Sequence, residues 1–452
     1  MKALTESREG DHIPISPVCL KLKNDHLFGQ YFDLLFVDTR IKKKCQSKNP
    51  GFEIFWNIPT ITCGNETDKE IPLSPYGIVA NEKQDFFGSK INIFYLNRGL
   101  WPHYEKNDML TEVNGGIPQR GDIEKHLNFF AGSVNKSIPD PSFHGLAVID
   151  FEEYLPSLSL LSGDLKDYYK QKSLEFATEK HPEIKDSNKL NTISVNLFNK
   201  AARLFFESTL KLGIQMRPNA KWGYYGFPYC YRGQLDNLNC TDSMVAMNNK
   251  NLWLYEASSA LFPTIYLSNK PFPRAIDAGI WIHKVYQEVN RLRSKLVDKY
   301  LPAYPYFRFE YQAEEGEKYE KYLQMKDLRF SFKQALDMGM DGMIIWASSK
   351  NLSAKCSNIS HYVRDYLGPI SNISKHFAKI CKKVLVCCNN SIATSDQNSS
   401  LVNYQPRESK CVKIDSENID YIKEILNSTD DINLTYPQSY DKIKTEYQCA
   451  TY

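Results

Sequence analysis

Apolar residues in this chain fall in short, recurring runs. FEIFWNIP (Phe52–Pro59), INIFY (Ile91–Tyr95), GLAVIDFE (Gly145–Glu152), WGYYGFP (Trp222–Pro228), PTIYL (Pro263–Leu267), YFRFEY (Tyr306–Tyr311) and GMIIWA (Gly342–Ala347) are rich in β-branched and aromatic residues. Their length and composition predict strands. Between them the period changes. Ile193, Leu197, Ala201, Leu204, Phe205 and Leu212 share one helical face, and Ile282, Val285, Val289, Leu292 and Leu296 share another. Asp327 stands where it can cap a helix that Gly339 ends, directly before the strand at Gly342.

Strand–helix alternation over most of the chain reads as a parallel α/β architecture. Continuous apolar strands are expected where both faces are covered. An open doubly wound sheet and a closed barrel both satisfy the pattern. Polar and aromatic residues at the carboxyl ends of several strands favour the barrel, whose active site sits at that rim. Beyond about Ala378 the apolar runs thin out, and Cys381, Cys387, Cys388, Cys411 and Cys449 appear among Asn, Ser and Lys. Such a stretch is expected to need bridges to hold a core. The expected organisation is an N-terminal extension over 1–50, a barrel over 51–378 and a loop-rich, cysteine-containing appendage over 379–452.

Composition narrows the setting. A net charge of +3 on 452 residues selects no partner by itself, and nucleic acid is not expected. The eleven cysteines follow no zinc-finger spacing, and ten N-x-S/T sequons accompany them, from Asn65 to Asn433. Together they favour the secretory route, to the extracellular space or the lysosome. Met1–Ser7 has no apolar run, so a leader is expected to be missing from this sequence rather than from the protein. No apolar run is long enough for a membrane span.

The segment with most chemistry is GLAVIDFEEYLP, Gly145–Pro156. On a strand, positions i and i+2 share a face, so Asp150 and Glu152 are expected to project together while Phe151 and Glu153 turn away. Two carboxylates this close repel when both are ionised, which favours keeping one protonated as a general acid. The pair suits glycoside hydrolysis. Neighbours on one strand approach the bond from one side, whereas the usual two-carboxylate schemes need groups on both faces of the sugar. A same-side pair fits a mechanism in which the substrate's own 2-acetamido oxygen attacks the anomeric carbon.

Six motifs in order extend this reading: FWNIPT at Phe55–Thr60, GGIPQ at Gly115–Gln119, GLAVIDFE, WGYYGFPYCY at Trp222–Tyr231, LFPTIYL at Leu261–Leu267 and GMIIWASS at Gly342–Ser349. From Phe52 to Gly368 the chain resembles the hyaluronidase family of glycoside hydrolases, its venom and invertebrate members in particular. The resemblance implies a distorted (β/α) TIM-like barrel and retaining, acetamido-assisted cleavage. It implies a glycosaminoglycan substrate, hyaluronan or chondroitin, and chemistry without a metal or cofactor. It implies Glu152 as acid/base, Asp150 as the group that orients the acetamido, and Tyr225, Tyr266 and Trp346 as the pocket's aromatic lining. Asn57, Tyr95, Tyr231, Lys284, Ser348 and Ser349 match substrate-binding positions. Cys63 matches a partner in Cys356, and Cys230 in Cys240. The appendage resembles an EGF-like module only in part, and a monomer is expected. Leu155 stands where an Arg commonly meets the substrate carboxylate, which leaves chondroitin open as the preferred polymer. A silent glycosaminoglycan-binding protein on the same fold is the competing expectation.

Overall fold

The computed structural model describes residues 51–378 except 65–70, 106–107, 159–160, 162, 231–237, 269–276, 297–298, 313–320 and 377. The expected extension (1–50) and appendage (379–452), and Tyr231, lie outside the described residues. Nine strands are described: β1 Glu53–Trp56, β2 Val79–Ala80, β3 Ile91–Phe94, β4 His103–Glu105, β5 Asp108–Val113, β6 Leu146–Ile149, β7 Lys221–Tyr224, β8 Tyr306–Phe307 and β9 Gly342–Ile345. The helices are α1 Ile123–Ser137, α2 Asp164–Lys180, α3 Ser187–Met216, α4 Asp242–Lys250, α5 Leu252–Ala257, α6 Asp277–Lys295, α7 Met325–Asp337 and α8 Leu352–Tyr362. None of the described helices is long and apolar enough to cross a membrane.

Strands β2-β1-β9-β8 form one parallel sheet and β3-β6-β7 another, while β4 and β5 pair antiparallel. Residues 259–265 join the two sheets. Tyr225 bridges to Phe262 on one side, and Leu261 to Ala303 and Thr264 to Tyr306 on the other. The expected strand at Pro263–Leu267 is therefore a series of isolated bridges, because Pro263 has no N–H for the ladder. At the seam between β2 and β3 a side chain replaces backbone pairing. Asn81 accepts from the N–H of Lys90 (2.9 Å) and of Ile91 (3.1 Å), and donates to the Ile91 carbonyl (2.9 Å). The result is a distorted (β/α) barrel.

Two apolar layers follow from the alternation along each strand. Phe55, Ile91, Ile93, Leu146, Val148, Phe262, Tyr306 and Ile344 form an inner cluster drawn from the strands and their connections. Ile54, Trp56, Phe94, Ala147, Ile149, Trp222, Tyr224, Met343 and Ile345 face outward into a larger cluster shared with the helices. Gly223 is required by close approach, since a Cβ there would sit 2.3 Å from the Ala260 carbonyl oxygen.

The helices correct two expectations. On α6, Ile282, Val285, Val289 and Leu292 are buried as the period predicts, with Leu296 just past its end. On α3 the buried stripe is Leu190, Ser194, Phe198, Ala202, Phe205, Phe206, Thr209, Leu210 and Gly213, while Leu204 is 51% exposed. The face turns because Phe198 and Phe206 pack on Tyr154 and Phe206 on Tyr224, while small Ser194, Ala202 and Gly213 permit close approach. Asp327 lies inside α7 rather than capping it. Its buried carboxylate accepts from the Tyr311 hydroxyl at 2.6 Å, and the cap position is Gln324. Gly339 takes the expected left-handed turn after the helix, at φ +69°.

Candidate active site

The inner row of each strand continues past its carboxyl end with period two. Phe55 leads to Asn57, Ile93 to Tyr95, Val148 to Asp150, Gly223 to Tyr225, Thr264 to Tyr266, Tyr306 to Arg308 and Ile344 to Trp346. Chemistry-bearing residues far apart in the chain therefore converge at one rim of the barrel.

Strand β6 ends at Ile149, so the carboxylates lie just beyond it and not within it. Asp150 keeps the strand's direction because its N–H still donates to the Phe94 carbonyl at 2.9 Å. Glu152 lies past that bond. The two acids sit in different surroundings, Asp150 being 7% exposed and Glu152 open to solvent. Between them Phe151 points outward. It stacks on Trp101 at 4.2 Å and meets Tyr154 (4.7 Å) and Phe206 (5.7 Å) edge-on. That anchor pins the backbone from behind and leaves both acids on the pocket side.

The aromatic residues form a continuous wall. Trp346 Nε1 donates to the Tyr95 hydroxyl oxygen at 3.0 Å. Tyr266 lies nearly parallel to Trp346, with centroids 6.0 Å apart and planes at 19°. Tyr225 is 6.2 Å from Tyr266 and edge-on to Tyr306 at 5.0 Å. Burial, and next the Glu152 carboxylate, push the Tyr225 phenol far above its ordinary value. Burial raises Tyr95 likewise, the Trp346 hydrogen bond opposes it, and Asp150 adds to the rise. Both phenols therefore stay protonated through neutral pH and remain donors.

The other expected residues divide. Asn57 is fully buried, and its Nδ2 donates to the Phe86 carbonyl at 3.3 Å. Phe86 in turn stacks on Tyr95 at 5.9 Å. Asn57 is thus linked to the wall through Phe86. Ser348 is half-buried and Ser349 exposed; Ser348 Oγ accepts from the Lys350 N–H at 3.3 Å. Lys284 belongs to α6, is buried, and has its amine pushed down by that burial; it is not a strand-end residue. Leu155 is half-buried against the outer cluster. Both expected disulfides are formed. Cys63–Cys356 ties the turn after β1 to α8, and Cys230–Cys240 closes a loop beyond β7.

Sequence reasoning passed over Arg308 and Glu310. Arg308 Cζ stands 5.7 Å from the Tyr266 ring centroid and 5.5 Å from that of Trp346. Its Nη2 lies 3.8 Å from Glu310 Oε2, and Glu310 Oε1 lies 3.4 Å from Lys355 Nζ. The signal was present in YFRFEY, where the alternation that singles out Asp150 and Glu152 also places Arg308 beside the pocket.

A buried acid, a solvent-facing acid, phenol donors and flat aromatic faces make a site suited to a sugar ring. The faces stack on C–H surfaces, the phenols donate to an acyl oxygen, and the open acid can move a proton. Among the described residues no group of three or more His, Cys, Asp and Glu is placed to hold a metal ion.

A family model described as hyaluronidase matches residues 41–452. The chain is 32% identical to a hyaluronidase of Polistes annularis over 366 residues, covering 78% of this chain and 96% of the relative. It is 32% identical to a chondroitin hydrolase of Caenorhabditis elegans over 341 residues, covering 73% and 71%. The crystal structure of bee venom hyaluronidase in complex with a hyaluronic acid tetramer matches with a TM-score of 0.64 and 32% identity. That match covers 71% of this chain and 98% of the bee chain.

Proposed function

We propose, from the premise that this chain belongs to the hyaluronidase family, that it is an endo-acting glycoside hydrolase. It cuts β-1,4 bonds between N-acetylhexosamine and glucuronic acid in hyaluronan, chondroitin or both, with retention of configuration. The observation that carries this reading is the split pair: buried Asp150 and open Glu152, held on one side of the site by the outward anchor Phe151.

Each member then has a task its surroundings suit. The hexosamine lies against Tyr266 and Trp346. Asp150 accepts from the acetamido N–H, and Tyr225 donates to the acetamido oxygen, which turns that oxygen towards the anomeric carbon. The oxygen attacks, the glycosidic C–O bond breaks, and Glu152 gives its proton to the departing oxygen. The ring so formed bears positive charge opposite the Asp150 carboxylate. Glu152, now ionised, takes a proton from water as that water attacks the same carbon. Two inversions leave the configuration retained.

Disulfides and sequons together support an extracellular setting reached by the secretory route. The test is digestion of hyaluronan and unsulfated chondroitin side by side, with product sizing, by the wild type and by Glu152→Gln. Saturated oligosaccharides from at least one polymer are expected, with turnover falling by roughly two to four orders of magnitude in the variant. Near wild-type turnover in Glu152→Gln removes that residue from the mechanism. Binding without turnover in the wild type makes the chain a glycosaminoglycan-binding protein instead.

A further inference from the structure

We propose that Arg308 is a positioning residue that holds Tyr266 and Trp346 at the spacing and angle with which they grip a sugar ring. The proposal rests on the reading of the pocket given above and adds a residue that none of the motifs contains. One planar guanidinium lies within cation–π range of both rings, at 5.7 and 5.5 Å. Tyr266 and Trp346 come from different strand ends, so neither backbone alone fixes their relative tilt of 19°. A flat, delocalised head that engages both faces does so better than a point charge.

The guanidinium is itself held. Glu310, two residues along the same inner row, faces it at 3.8 Å and is in turn met by Lys355 at 3.4 Å. Lys355 lies on α8 next to Cys356, whose disulfide with Cys63 ties that helix to the turn following β1. The side chains of Arg308 and Glu310 are 8% and 1% exposed. Buried pairs of this kind are a weak source of stability compared with apolar residues of the same volume. Their place beside the pocket wall is better explained by what they hold. The Arg308 charge also acts on Tyr266, opposing the rise that burial imposes on its phenol.

The test is steady-state kinetics on whichever polymer the wild type digests. It is paired with near-ultraviolet circular dichroism, in which the Trp346 signal is isolated as the difference from Trp346→Phe. Arg308→Gln is expected to raise KM about tenfold while kcat changes less than about threefold. Arg308→Lys is expected to recover part of the KM, since the charge stays but the flat head is lost. The single neutral variant removes one of the two cations facing buried Glu310 and risks misfolding. The double variant Arg308→Gln/Glu310→Gln removes both charges, and it is expected to melt near the wild type with KM still raised and the Trp346 signal weakened. A double variant with wild-type KM and an unchanged Trp346 signal overturns the proposal. A wild type that digests neither polymer defeats the reading of the pocket, and the Trp346 signal alone then decides whether Arg308 holds the wall.

Discussion

Acid is expected to loosen this fold through its buried imidazoles, among them His126 on α1. The residue has no solvent exposure, and its Nε2 lies 2.8 Å from Thr209 Oγ1 on α3. Thr209 spends its own hydroxyl proton on the Phe205 carbonyl at 2.6 Å, so the neutral imidazole donates from Nε2. The ring packs on Trp101 at 4.4 Å and Phe205 at 5.2 Å. Burial lowers its pKa from 6.5 to about 4, with a backbone hydrogen bond to Leu100 opposing the fall. The folded protein therefore keeps the ring neutral down to about pH 4, whereas the unfolded chain takes up a proton below about pH 6.5. Across that window the unfolded state binds more protons, so stability falls as pH falls. A gap of about 2.5 units corresponds to roughly 3 kcal/mol, a large share of an ordinary folding margin. Urea unfolding from about pH 7 to about pH 4 measures it, with His126→Phe as reference because that ring packs but does not titrate. Carboxylates, and His283 whose pKa burial also lowers to about 4, titrate in both proteins and cancel in the difference. The wild type is expected to lose about 3 kcal/mol relative to the variant; parallel stability curves would refute the argument.

Phe151→Ala is expected to cost about 3–5 kcal/mol and to reduce kcat/KM even at temperatures where the variant stays folded, because the two acids lose their anchor. Melting curves and kinetics on the same sample check both parts, and full activity in the folded variant would free the acids from Phe151. Leu155→Arg is expected to lower KM for hyaluronan more than it changes kcat, at a stability cost near 1 kcal/mol because only part of the side chain is buried. Unchanged KM on both polymers with a lower melt would make position 155 a packing position alone. Replacing Cys63 and Cys356 together by Ser opens a separation of 293 residues and is expected to cost up to about 6 kcal/mol in a chain-entropy estimate, seen as a lower melting temperature. Peptide mapping without reduction tests both pairings directly.

Strand and helix assignments were legible where local pattern and final environment agree. Strands buried on both faces need unbroken apolar runs, and six of the seven predicted runs contain a described strand. The α6 stripe was legible for the same reason, since one face meets one apolar layer. The carboxylate pair could be picked out because period two is a property of the extended backbone. The α3 face misled because the true stripe contains Ser194, Thr209 and Gly213, residues chosen for close packing rather than for apolarity.

What the chain determines by itself is this alternation and the chemistry set on it: which residues share a row, and that Asp150 and Glu152 share one. Tertiary structure decided the rest. It buried Asp150 and left Glu152 open, tied buried Asn57 to the Phe86 carbonyl, joined the sheets through bridges and an Asn81 side chain, and set Arg308 against rings from two other strand ends. The physical reason is that burial, charge pairing and ring contact belong to neighbours brought together by closure of the barrel. Spacing along one strand cannot say which side chains from the other strands will stand beside it.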